Sequence, residues 1–95
     1  MYSDGKRILK EYYYVLGIKP DRSRKQEQVK ARAAMMSAMR QNDLTTTSIA
    51  KLFDSDHSTV CHHTSKHEAN LTSWPGYERN YIAAVRLCGE TLKYK

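Results

Sequence analysis

The 95-residue chain carries 16 Lys and Arg against 10 Asp and Glu, a formal net charge of +6, with 40% hydrophobic residues. That length suits one compact domain spanning 1–95 and is too short for two. The basic balance favours a polyanionic partner, nucleic acid first. No apolar run is long enough to span a bilayer and no signal peptide is evident, so a cytoplasmic, nucleoid-associated protein with no membrane partner is expected.

In chain order, the first predicted helix runs from Ile8 to Leu16. Ile8, Leu9, Tyr12, Tyr13 and Leu16 share a face, and Gly17 with Pro20 close the segment. Tyr12, Tyr13 and Tyr14 cannot all face inward, so at least one is expected at the surface. From Lys19 to Lys30 the chain turns polar and basic, with Arg22, Ser23, Arg24 and Lys25 in succession as its densest positive cluster. Taken alone, such a run reads as a solvated loop. Val29 to Met39, rich in alanine and methionine, predicts a second and largely buried helix.

Asn42 and Asp43 break that pattern, and the hydroxyls of Thr45 to Ser48 can cap a two-turn helix carrying Ile49, Ala50, Leu52 and Phe53. Asp54, Ser55 and Asp56 make a polar turn. Each can accept hydrogen bonds from the amides of a longer helix expected over His57 to Leu71, with Val60, Thr64, His67 and Leu71 on its inner face. Thr72 to Gly76 contain Pro75 and interrupt the chain. Tyr77 to Leu92 predict a last helix with Tyr81, Ile82, Val85, Cys88 and Leu92 in periodic positions. With no strand pattern, the expected class is all-α.

A short helix, a tight turn and a longer helix with a polar start form the layout of a helix-turn-helix, here about 45–71, with the last helix at about 77–92. Ile49, Phe53 and Val60 would join the two helices. Ser48, Lys51, Ser58, Thr59 and His62 would remain available to solvent or DNA, where short hydroxyls suit phosphate contacts.

The chemistry of the remaining side chains is less suggestive. His57, His62, His63 and His67 with Cys61 invite a metal, yet no carboxylate partner is obvious and His67 lies on the expected core side, so no metal is assigned. The cysteines, Cys61 and Cys88, form no Cys-x-x-Cys pair and indicate neither a disulfide framework nor a thiolate zinc site. No phosphate-binding loop is present. The chain is therefore expected to be a binding protein without a cofactor rather than an enzyme.

The run Leu44-Thr45-Thr46-Thr47-Ser48-Ile49-Ala50-Lys51-Leu52-Phe53, followed by Asp56-His57-Ser58-Thr59-Val60, resembles the C-terminal DNA-binding domain of the bacterial replication initiator DnaA. The family pattern reads Leu-Ser-x-x-x-Ile-Gly-x-x-Phe-Gly-Gly-Arg-Asp-His-Thr-Thr-Val. The likeness reaches from about Ile8 to Leu71, with Glu11-Tyr12-Tyr13 and Ile18 at the end of the family's first helix, Arg24 in its basic loop and Ala31-Arg32 before its alanine-rich helix. It departs at Asp54-Ser55, one residue shorter than Gly-Gly-Arg and without the arginine, at Ala50 in place of glycine, and at Ser58 and His63.

The resemblance implies a small Trp-repressor-like helical domain that binds a short A·T-containing duplex site in replication control or transcription regulation. It implies that Asp56, His57, Ser58 and Thr59 work at base edges in the major groove, that Arg24 reaches the minor groove, and that Arg32, Lys51 and Lys66 meet phosphates. Arg22, Lys25, Ser48 and His62 join that positioning set, and capping of the helix is expected to be part of the work of Asp56. A protein-interaction module that binds a replication protein after losing base reading is the alternative. A binder of single-stranded nucleic acid, stacking bases on exposed tyrosines, ranks below both.

Overall fold

The computed structural model describes residues 2–20 and 25–92, and all regular structure among them is helical. The order is α1 (Tyr2–Leu16), α2 (Gln26–Gln41), α3 (Thr46–Phe53), α4 (His57–Ser65), α5 (His67–Ser73) and α6 (Tyr77–Leu92).

α1 begins six residues earlier than the apolar spacing predicts. Its first turns are polar, but Asp4 complements the positive end of the helix dipole and pairs with Arg7 at 3.8 Å. Gly5 lets Leu52 of α3 lie against the backbone: a Cβ there would stand 2.6 Å from Leu52 Cδ1. At the other end Gly17 adopts φ +73°, which favours glycine. The Ile18 N–H then donates to the Tyr13 carbonyl at 3.3 Å, a Schellman closure.

α2 is the central rod and extends beyond the expected Val29–Met39 at both ends. Ala31 and every residue from Ala33 to Met39 are buried, with α3, α4, α5 and α6 packed around them. The small alanines admit close neighbours, while fully burying Met35, Met36 and Met39 contributes about 1.5–3 kcal/mol each. Tyr12 ties α1 to this rod by donating to the Ala31 carbonyl at 2.7 Å. Tyr14 is the exposed member of the tyrosine triplet.

Two expectations are corrected beyond α3. The helix expected over His57 to Leu71 is broken at Lys66 into α4 and α5. Lys66 N–H donates to the His63 carbonyl, a tight i to i−3 closure, and the hydroxyls of Thr64 and Ser65 bond back to the carbonyls of Val60 and His62. Such back-bonding competes with the regular ladder and bends helices. The inner face nevertheless holds, with Val60 and His67 buried and Thr64 and Leu71 half-buried.

On α6 the buried face is Tyr77, Ala84 and Cys88, whereas Ile82 and Val85 are exposed. Hydrogen bonds fix this rotation: Tyr81 Oη donates to Gln41, and Tyr77 Oη meets Ser37 and His67. Ala84 and Cys88 are small enough to admit α2, where Cys88 Sγ lies 3.8 Å from Met35 Sδ. Ile82 and Val85 fall outside the resulting contact.

Candidate nucleic-acid interface

The short α3 is capped at its start by Thr45, whose side chain accepts from the Ser48 N–H at 3.1 Å. It buries Ile49 and Ala50 and leaves Thr47, Ser48 and Lys51 exposed. It ends with Asp54 at φ 52°, a left-handed conformation that aspartate tolerates better than most residues. The Ser55 N–H donates back to the Ala50 carbonyl at 2.8 Å. Asp54, Ser55 and Asp56 thus join α3 to α4 in three residues.

Asp56 is the N-cap of α4 but makes no side-chain capping bond, which corrects the expected capping role. Its exposed carboxylate still lies at the favourable end of the helix dipole. Val60 is the one residue of the nine-residue α4 that is buried. His57, Ser58, Cys61, His62 and Ser65 make a continuous exposed stripe at helical spacing. Cys61 Sγ lies 3.8 Å from both ring nitrogens of His57.

The four residues expected at base edges therefore fall on two neighbouring surfaces. His57 and Ser58 belong to the outer stripe. Asp56 and Thr59 instead line an open concavity of about 870 Å³ between α1, the start of α2 and the α3–α4 turn. Lys6 and Lys10 of α1, Arg32 of α2 and His63 of α4 line it too, with Leu9, Val29, Leu52 and Phe53 among its apolar surfaces. Burial holds His63 below the usual histidine range, and the neighbouring charges of His62 and Arg32 act in the same direction. Near neutral pH His63 is thus an uncharged side chain with one ring donor and one acceptor.

Among the expected positioning residues, Ser48, Lys51, His62 and Lys66 are exposed on or beside α3 and α4, with Lys66 at the α4–α5 break. Lys25 is exposed at the start of α2, and Arg32 is half-buried in the concavity wall. Arg22 and Arg24 lie outside the described residues. Pro20, just before them in sequence, lines the concavity.

Sequence reasoning missed Lys6 and Lys10. The signal was available, because Lys6, Leu9, Lys10 and Tyr13 stand at i, i+3, i+4 and i+7 and all line one side of the concavity. Among the described residues, no group of three His, Cys, Asp or Glu side chains is placed to hold a metal ion. No helix among them is long and apolar enough to cross a membrane. No family model, curated protein or solved structure matches the chain.

Proposed function

We propose that the chain binds duplex DNA sequence-specifically, α4 entering the major groove and α3 lying across the backbone, as a DnaA-C-terminal-like helix-turn-helix domain acting in replication control or transcription. The observation that carries this reading is the exposure of α4, which buries Val60 alone and turns His57, Ser58, Cys61, His62 and Ser65 outward. A helix with its side chains is about 10–12 Å across, which the major groove, roughly 12 Å wide, admits. Its outward side chains are small or planar and hydrogen-bonding, suited to base edges. Lys51 and Lys66 flank them as cations for the phosphates. The reading assigns binding, not catalysis, and the preferred target is a short A·T-containing site.

Duplex affinity measured across salt concentrations tests it. About four to six phosphate contacts give a log–log slope near −4 to −5. His57→Ala and Ser58→Ala are expected to reduce discrimination between preferred and altered duplexes, by about 1–3 kcal/mol for each base-edge hydrogen bond they remove. Lys51→Ala and Lys66→Ala are expected to weaken all duplexes alike and to lower the slope. A salt-independent affinity would exclude the reading.

A second reading, a module that binds a replication protein, is favoured by the exposure of Tyr14, Val15, Ile82 and Val85 away from α4. It differs in expecting His57→Ala and Thr59→Ala to leave activity unchanged.

A further inference from the structure

We infer that α1 is a second DNA-contacting element, in which Lys6 and Lys10 hold the sugar–phosphate strand that runs past the start of α4. The inference rests on the duplex-binding reading and adds to it a helix that lies outside the helix-turn-helix.

Three observations support this assignment. Lys6 and Lys10 are exposed and one helical turn apart, and both line the concavity that Asp56 and Thr59 line from the start of α4. Positions four apart on a helix stand about 5–6 Å from each other, and flexible four-carbon stems let two ammonium groups reach neighbouring phosphates of one strand. The concavity is open to solvent, as a continuous polymer strand requires.

Its lining also divides as a sugar–phosphate strand divides. Leu9 and Leu52 offer apolar surface to deoxyribose, while Lys6, Lys10 and Arg32 offer cations to phosphate. The carboxylates of Asp54 and Asp56 line the part formed by the α3–α4 turn. The exposed Asp56 carboxylate can accept from a base amino group, the partner a carboxylate finds in the major groove.

The test compares the wild-type protein, Lys6→Gln/Lys10→Gln, Lys6→Arg/Lys10→Arg, and Arg79→Gln/Arg86→Gln. The last pair removes the same charge from exposed positions of α6, which does not line the concavity. Binding to one preferred and one altered duplex is followed by fluorescence anisotropy from low to high salt, with helicity and melting of each variant checked in parallel. The expected result is that the glutamine pair on α1 lowers the magnitude of the log–log slope by about 2. It weakens both duplexes by the same factor, the arginine pair restores the slope, and the α6 pair leaves it at the wild-type value.

An unchanged slope in a folded Lys6→Gln/Lys10→Gln protein overturns the inference while leaving the duplex reading intact. An equal fall in the α6 pair also overturns it, because net charge rather than the concavity would then be responsible. Failure of the wild-type protein to bind duplex at low salt overturns the duplex reading itself, and the inference with it.

Discussion

Tyr77→Phe isolates one hydroxyl that holds three helices in register. The ring is fully buried, Tyr77 Oη lies 2.7 Å from His67 Nδ1, and it donates to Ser37 Oγ at 3.3 Å, so α6, α5 and α2 meet at one oxygen. Phenylalanine fills the same volume, so the change creates almost no cavity and its cost is polar. His67 and Ser37 are themselves buried, and losing their shared partner leaves each short of a hydrogen bond. Leaving a buried polar group unsatisfied costs about 1–3 kcal/mol. A loss near 2 kcal/mol in a domain of this size lowers Tm by roughly 8–16 °C. Urea and thermal unfolding followed by circular dichroism measure both quantities. In a double-mutant cycle, Ser37→Ala combined with Tyr77→Phe should fall short of additivity by about 0.5–1.5 kcal/mol, since both changes remove the same bond. A Tyr77→Phe protein within about 0.5 kcal/mol of wild type, or additive behaviour in the cycle, would refute the shared-hydroxyl account.

Acidification should destabilise the fold. Burial holds both His63 and His67 below the ordinary value of 6.5, so the unfolded chain binds protons that the folded chain resists, and stability falls as pH drops below about 6.5. His63→Gln should flatten the Tm profile between pH 7.5 and 5.5, and a wild-type profile without slope there would contradict the burial argument. Thr45→Ala removes the acceptor that caps α3 and should cost about 0.5–2 kcal/mol in urea unfolding, with most of it recovered in Thr45→Ser. The thiols should separate by reactivity: Cys61 is exposed, whereas burial pushes Cys88 up to about 11. Iodoacetamide at neutral pH should modify one thiol in the folded protein, identified as Cys61 by mass spectrometry, and the second only after unfolding. Because Cys61 lies on the outer stripe of α4, the singly modified protein should lose duplex affinity.

Where local chemistry decided structure, the sequence was readable. The spacing of Ile8, Tyr12 and Tyr13, the alanine and methionine series of α2 and the threonine cap of α3 depend on neighbours in the chain, and the structure has each of them in place. Features set by distant contacts were not legible. Tyr2 to Arg7 lack an apolar stripe, and the close approach of Leu52 to Gly5 is a tertiary event. Ile82 and Val85 fit the period of a buried face, but hydrogen bonds from Tyr77 and Tyr81 fix α6 at a different rotation. Asp56 has the residue type and position of a capping side chain, yet its carboxylate makes no such bond. At the candidate interface, the residues of α3 and α4 stood out as one run of sequence. Lys6 and Lys10 did not, because only folding brings α1 and Thr59, some fifty positions apart, to the rim of one concavity.

The most direct test of duplex recognition is selection from a pool of random double-stranded DNA with the intact chain, followed by sequencing of the retained molecules. The proposed reading expects one short enriched motif containing A·T pairs, whose enrichment collapses in His57→Ala and persists, at lower overall yield, in Lys51→Ala. Retention of the pool without any enriched motif, or enrichment unaffected by His57→Ala and Ser58→Ala, would contradict base reading by α4.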